Sequence, residues 1–494
     1  MYELQQILYG ICFIFETLSK YQRWPYSLMF NLPSQLNRVS SLVVLQVCCI
    51  GLLPTLSAKA DTPAVEDLTR NGTQPITQLP VATATARETY VDEQRSHIQP
   101  QNYSLVLYPF TEEHQTHWQN LLWSTGILEP RAAYIDAAIA YLMGQANTFQ
   151  LSANQRQTIE MAFQIGTQLY LSAPNAHPKI QQSLADAVDQ VHNTKWSSMA
   201  LSALAQGETT PQQRYALSDR IRQRFPNWHQ DLYLRTTLHD VAAIDHPIAM
   251  PPLDELLDWT IAPEQLHLYV LCSPDRGQLC QAVLKDRQGK FVREADGQLW
   301  SVPLGLRSLH TGLSWNFTRG ETPQGVYRIE GTIPQPDTDY FRPYGQFALV
   351  QLFVPHEPGV QAFLPSQTKA DQAPWSGGLA AYQALLPPTW RNYLPIQQTY
   401  WAGKAGRNYF RIHGTGEDPV FFANSRQYPA SEGWNPTIGC LSAIEIYDDQ
   451  GRLQRADMPK ILAELTDIDG EDFAGYLVVV NIPEADRLNV EEFL

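Results

Sequence analysis

The chain has 494 residues, of which 44% are hydrophobic and 17% are charged. That length allows two or three domains with apolar cores of their own. The formal net charge of −15 argues against nucleic acid as a partner, because phosphate binding needs clustered Lys and Arg.

Residues 1–60 have the pattern of an export signal. Arg38 supplies a positive charge, and Leu42 to Leu53 form an apolar run too short to span a bilayer. A small-x-small cleavage motif ends at Ala60. The sequence therefore predicts cleavage after Ala60 and a mature protein exported to the periplasm or cell envelope.

Two alternatives stay open at this end of the chain. The leader, if uncleaved, anchors the protein to the membrane, and Met29 rather than Met1 is a possible true start. N-terminal sequencing of exported protein should begin at Asp61. Recovery of a full-length, membrane-bound form would favour the anchor.

Two regions separate the leader from the C-terminal block. Residues 61–110 are rich in Thr, Pro, Ala and Gln without a sustained period, which predicts a disordered linker. Residues 111–260 have a helical period, with capping boxes that begin at Ser152 and Thr210. Because no catalytic group stands out there, 111–260 is interpreted as an all-helical accessory domain that is dispensable for chemistry.

From 261 to 494 the pattern changes to short β-like runs separated by Gly, Pro and Asp. A short helix is predicted from Met458 to Leu465, and an irregular stretch over 361–400 has the length of a loop that covers a site. The predicted fold class is α+β, with a mostly β C-terminal domain. The predicted strands are LHLYVL, CQAVLK, KFVREA, VYRIEGTI, FALVQLFV, NYFRIHG, SAIEIYD and YLVVVNI.

Three cysteines lie beyond the leader. Cys272 and Cys280 flank a turn between two β-like runs, which predicts a disulfide across a hairpin in an oxidising compartment. Cys440 is then the odd cysteine, which in an exported protein suggests a reactive thiol or an intermolecular bond. The alternative is that all three are buried as small hydrophobic residues.

A Gly-flanked histidine and a Gly-flanked cysteine lie in one C-terminal block. The segments are Arg411-Ile412-His413-Gly414-Thr415 and Thr437-Ile438-Gly439-Cys440-Leu441. An imidazole can take a thiol proton so that the thiolate attacks a carbonyl. The alternatives are a core histidine and an inert buried thiol. His and acidic residues do not recur at metal-ligand spacing, so we expect neither a metal nor a cofactor.

Together with Thr322-Pro323-Gln324-Gly325-Val326-Tyr327, these segments resemble the L,D-transpeptidase catalytic domain (YkuD) family. They match its T-P-x-G-x-[FY], histidine and [ST]-x-G-C segments in order, over roughly residues 262–485. The resemblance implies a cysteine acyltransferase of peptidoglycan biosynthesis, acting in cell wall biogenesis and cell shape. Such an enzyme attacks the L-centre carbonyl of a diamino acid in a stem tetrapeptide, expels D-Ala and passes the acyl group to an amine.

The resemblance also implies roles for individual residues. Cys440 is the nucleophile, His413 is the general base, and the carbonyl of Gly414 orients the imidazole. We interpret Gly439 as space for an oxyanion and Gly414 as space beside the imidazole. The backbone N–H groups of Ile438, Gly439 and Cys440 are the implied oxyanion donors. The positions implied for oxyanion or substrate binding are Thr437, Ile438, Gly439 and Ser442.

Two positions depart from the family pattern. Ile438 stands where a second histidine is common, and Ser442 stands where Arg or Asn is common, which leaves substrate preference open. Two other functions also stay open: an L,D-carboxypeptidase that uses water as acceptor, and a catalytically silent wall-binding module. Only the silent module predicts no covalent adduct at Cys440.

Overall fold

The computed structural model describes residues 78–334, 345–357, 363–365, 375, 377–416 and 437–483. The predicted leader and both candidate start sites lie outside these residues, so export remains a prediction. Within the described residues the fold is α+β, as the sequence predicts. Among the helices of this part of the chain, none is long and apolar enough to cross a bilayer.

Both predicted capping boxes are confirmed. The Oγ of Ser152 accepts from the Gln155 N–H at 3.0 Å, while the Gln155 side chain accepts from the Ser152 N–H at 2.9 Å. Thr210 and Gln213 repeat the arrangement. The helices of the described residues are α1 (Ala84–His97), α2 (Gln115–Leu128), α3 (Ala133–Gly144), α4 (Ala153–Ser172), α5 (Pro178–Gln190), α6 (Thr194–Gln206), α7 (Pro211–Arg224), α8 (Leu232–Asp245), α9 (Leu253–Asp258), α10 (Leu379–Gln383), α11 (Gln398–Lys404) and α12 (Met458–Asp469).

The disordered linker predicted over 61–110 is wrong for its described part. Gln78–Thr83 forms strand β1, and the Oγ1 of Thr83 caps α1. Strand β1 pairs with Gln450–Ala456, and α1 is fixed by an ion pair between Arg87 and Asp449 at 3.3 Å. The ordering partners are C-terminal, so local composition does not reveal them.

Eight strands close into a barrel in the order β8-β4-β3-β2-β10-β5-β6-β7, with β7 returning to β8. β2 is parallel to β10 and β7 is parallel to β8, whereas the other barrel pairs are antiparallel. The strands are β2 (Leu266–Cys272), β3 (Cys280–Lys285), β4 (Ser301–Gly305), β5 (Gly325–Ile333), β6 (Leu349–Phe353), β7 (Phe410–Gly416), β8 (Leu441–Tyr447), β9 (Gln450–Ala456) and β10 (Ala474–Asn481). The predicted strand KFVREA makes only isolated bridges.

Both faces of barrel strands β2 and β10 are buried. Leu268 and Val270 belong to a cluster to which all eight barrel strands and α12 contribute, and this shared face is the barrel interior. Tyr269 and Leu271 point the other way, into a second cluster formed with α9, α10 and α11. Two buried faces explain why these strands are continuously apolar rather than alternating.

The predicted disulfide is confirmed. Cys272 ends β2, Cys280 begins β3, and their sulfur atoms are bonded at 2.08 Å. In the described part of the chain, Cys440 is the free cysteine.

The boundary predicted at 260/261 does not separate two cores. The segment 306–324, which joins β4 to β5, inserts Leu313 and Phe317 into the core of α2–α8. Its backbone and side chains also bond to the helices: the Gln164 amide donates to the Thr318 carbonyl at 2.9 Å, and the Asn316 amide donates to Thr236 at 2.8 Å. The helices and the barrel are therefore joined by shared packing.

Replacing Phe317 by Ala tests that shared packing. Phe317 is fully buried and stacks on Tyr233, so truncation should lower the free energy of unfolding by about 3–5 kcal/mol. Urea unfolding followed by circular dichroism and by tryptophan fluorescence is the measurement. Phe149→Ala is the matched control, because Phe149 is 86% exposed and its loss should cost within about 0.5 kcal/mol. Equal stability of the two variants would contradict the shared core.

Candidate active site

Strands β7 and β8 place His413 and Cys440 on one face. The two strands are parallel and in register, with His413 opposite Ser442. Cys440 precedes Ser442 by two residues, and residues two apart on a strand point to the same side. Phe410, Ile412, Leu441 and Ala443 all point into the barrel interior. His413 and Cys440 therefore lie on the outer face, and both line one cavity.

The His413 imidazole is buried and oriented by its neighbour. Its Nδ1 lies 2.8 Å from the carbonyl oxygen of Gly414, which can only accept, so Nδ1 carries the hydrogen. Nε2 is then the basic nitrogen. Burial lowers the pKa of His413 to about 4, against which the Gly414 hydrogen bond acts. The imidazole is consequently neutral at physiological pH and able to accept a proton.

The Cys440 thiol is partly exposed and donates weakly to the Tyr409 carbonyl, with sulfur and oxygen 3.7 Å apart. Burial raises the pKa of Cys440, while the backbone N–H of Arg411 and the charges of Arg411 and Arg407 oppose that rise. With His413 also neutral, the resting pair is a thiol and an imidazole rather than a thiolate and an imidazolium.

Two threonines hold the turn that carries Cys440. The Thr437 hydroxyl donates to the Cys440 carbonyl at 2.7 Å and accepts from the Gly439 N–H at 3.3 Å. The Thr322 hydroxyl donates to the Gly439 carbonyl at 3.0 Å. The Thr322 segment and the cysteine segment are thus in direct contact. The Gly439 N–H is engaged by Thr437, whereas the N–H groups of Ile438 and Cys440 stay predicted oxyanion donors.

Arg407 is a site residue that the sequence interpretation missed. It precedes β7, and its guanidinium is buried. The group joins the segment after β4 to the turn that carries Cys440. No local pattern marks it, because its partners lie 31 to 92 positions away. It donates to the backbone carbonyls of Trp315, Gly320, Glu321 and Ile438.

At both glycines of the candidate site, a side chain of the protein lies where a Cβ would be. Gly439 has φ +119°, which L-residues rarely adopt, and a Cβ there would lie 2.2 Å from Nη2 of Arg407. Glycine at 439 therefore makes room for Arg407. A Cβ at Gly414 would lie 1.7 Å from Oε2 of the buried Glu445, so Gly414 makes room for that carboxyl group.

Ser442 does not belong to the cavity lining. Its side chain is 2% exposed, and its hydroxyl donates to the Gly305 carbonyl of β4 at 3.0 Å. The predicted role of Ser442 in substrate binding is wrong, because the pairing of β8 with β4 covers this position.

The cavity has a volume of about 500 Å³. Trp123 on α2 forms part of its wall, so the helical region contributes to the cavity, while its dispensability for chemistry stays a prediction. The described lining residues are Trp123, Leu309, Thr318, Arg319, Ile333, Leu349, Gly406, Arg407, Asn408, Tyr409, Phe410, Arg411, His413, Thr437, Ile438, Gly439 and Cys440.

Comparison with protein-family models, curated proteins and solved structures gives no match to this chain.

The neutral resting pair predicts how alkylation of Cys440 depends on pH. Because burial holds the thiol pKa above its ordinary value, the thiolate fraction at neutral pH is small and grows as the pH rises. The rate of iodoacetamide labelling should therefore be low near pH 7 and still be increasing above about pH 9. Mass spectrometry of the Cys440 peptide gives the rate. A plateau already reached below neutral pH would indicate a resting thiolate and contradict this description.

Proposed function

We propose that this protein is an L,D-transpeptidase-like cysteine acyltransferase acting on peptidoglycan stem peptides. The observation that carries the proposal is the meeting of His413 and Cys440 on adjacent parallel strands at one cavity. In this proposal the barrel is the catalytic domain, and α2–α8 are an accessory layer that completes its cavity. The predicted leader supports a location in the cell envelope.

The first step is acylation of the thiol. The Cys440 sulfur attacks the carbonyl carbon of the donor peptide bond, and the thiol proton moves to Nε2 of His413. The N–H groups of Ile438 and Cys440 stabilise the oxyanion of the tetrahedral intermediate. Its collapse breaks the carbon–nitrogen bond, and the leaving amine takes the proton from His413. The product is a thioester on Cys440 and free D-Ala.

The second step transfers the acyl group. An acceptor amine attacks the thioester carbonyl, and its proton passes to His413. The thiolate leaves and regains a proton from the imidazole, which restores the neutral pair. Water in place of the amine gives hydrolysis by the same residues, so acceptor access alone separates transpeptidase from carboxypeptidase.

The test uses a stem tetrapeptide with and without an amine acceptor. Mass spectrometry should show D-Ala release, and with the acceptor it should show the cross-linked product. Release without cross-linking would favour the carboxypeptidase alternative. Neither product would favour the silent wall-binding module and contradict the proposed function. The Cys440→Ala variant is the control for background hydrolysis.

A further inference from the structure

The cavity that contains the thiol is strongly basic in an acidic protein. The net charge of the chain is −15, yet the described lining residues include Arg319, Arg407 and Arg411 and no Asp or Glu. Arg407 is committed to backbone carbonyls, including those of Gly320 at 3.0 Å and Ile438 at 3.4 Å. Arg407 therefore adds positive charge to the cavity while its hydrogen bonds go to the protein backbone.

Arg319 is a cavity arginine with a buried nitrogen, Nη1, that has no hydrogen-bond partner among the described residues. No carboxylate of the described chain forms an ion pair with it. A buried guanidinium N–H without an acceptor is costly, which points to an acceptor that arrives with a ligand.

The position of Arg319 is fixed from two sides. Its guanidinium lies over the indole ring of Trp123, 5.5 Å from the ring centroid. The backbone next to it packs on the nucleophile turn, because the Gly320 carbonyl oxygen lies 3.2 Å from where a Cβ of Gly439 would be. Arg319 thus lines the same cavity as Cys440 and is in contact there with a helix residue.

The backbone of Arg319 is also in an unfavourable conformation. Its φ is +66°, in the left-handed region that non-glycine residues rarely occupy. Residues kept in that region tend to cluster at ligand sites, where the side chain is needed despite the strain.

From these observations we infer that Arg319, supported by Trp123, binds a carboxylate of the acyl donor beside the scissile carbonyl. The inference rests on the proposed function and names the anionic group that its donor must carry. Guanidinium and carboxylate match in shape and charge. Two carboxylates of a stem tetrapeptide lie on the residues that flank the scissile bond: the one at the C-terminus and the one on the side chain of the diamino acid.

Equilibrium binding of three peptides to the full chain carrying Cys440→Ala, in which no turnover occurs, tests the inference. The peptides are the tetrapeptide, its C-terminal amide and its side-chain amide. Adding Arg319→Met should weaken binding of the tetrapeptide by about 10–100-fold, the usual range for losing a charged hydrogen bond. Arg319→Met should leave unchanged the binding of the amidated peptide that lacks the recognised carboxylate. That peptide therefore identifies which of the two carboxylates Arg319 binds. Arg293→Met, at an exposed arginine outside the cavity, is the matched control and should change nothing.

A second variant removes folding as an explanation. Arg319→Gly deletes the guanidinium and also relieves the positive φ, so it should unfold at the same temperature or higher and still bind the tetrapeptide weakly. Equal loss for all three peptides, or no loss for any, would overturn the carboxylate subsite. If the Cys440→Ala protein binds none of the peptides and the wild-type protein is not acylated at Cys440, both the carboxylate subsite and the proposed function fail.

Discussion

Replacing Cys440 by Ala should abolish turnover of the stem tetrapeptide. The thiol is the atom that forms the covalent bond, so its loss should reduce the rate by about 10⁵–10⁶-fold, to background. D-Ala release measured by mass spectrometry is the readout. Cys440→Ser is the companion variant, because it preserves the size of the side chain and should be almost as inactive.

The fold should survive both substitutions. Cys440 is partly exposed, and its backbone hydrogen bonds do not depend on the thiol, so unfolding temperatures should stay near that of the wild type. Normal turnover by a folded Cys440→Ala protein would show that another residue is the nucleophile.

Replacing His413 by Ala should slow acylation by about 10²–10⁴-fold near neutral pH, the range for losing a general base. The effect should shrink as the pH rises, because hydroxide ionises the thiol without help from the imidazole. The wild type should instead keep its acylation rate down to mildly acidic pH. The reason is that the His413 pKa of about 4 leaves the base unprotonated there.

His246→Ala is the matched control for that experiment. His246 is exposed and lies outside the cavity lining, so its loss should leave acylation unchanged. An unchanged rate in His413→Ala, or a deficit that does not diminish at alkaline pH, would remove His413 from the role of base.

Sequence patterns predicted the elements that depend on neighbouring residues. The capping boxes at Ser152 and Thr210 need contacts only three residues apart. The Cys272–Cys280 bond spans a single turn. Strands such as β2 and β10 are apolar on both faces, so each forms a continuous apolar run that can be recognised from the sequence.

Elements that depend on distant partners were not predictable in the same way. Strand β1 is stabilised by pairing with β9, which is more than three hundred residues away, and its own composition resembles a linker. Strands β4 and β9 were also missed, because β4 contains Pro303 and β9 is largely polar. Their strand conformation follows from closure of the barrel and from pairing at its edge.

The residues of the candidate site also differ in whether the sequence could predict them. His413, Gly414 and Cys440 could be selected from the sequence because adjacent glycines and the segment order mark them. Arg407 and Arg319 could not, since each acts through groups that only the fold brings near. Ser442 was chosen by its spacing from Cys440, but spacing does not reveal that β4 covers it.

The most direct test of the central claim is to trap the acyl-enzyme. A carbapenem is the expected acylating agent for the family that the motifs resemble, and intact mass followed by peptide mapping locates the adduct. The account predicts one carbapenem per chain, on the peptide that contains Cys440, and no adduct in Cys440→Ala. No adduct on folded wild-type protein, or an adduct that persists in Cys440→Ala, would contradict it.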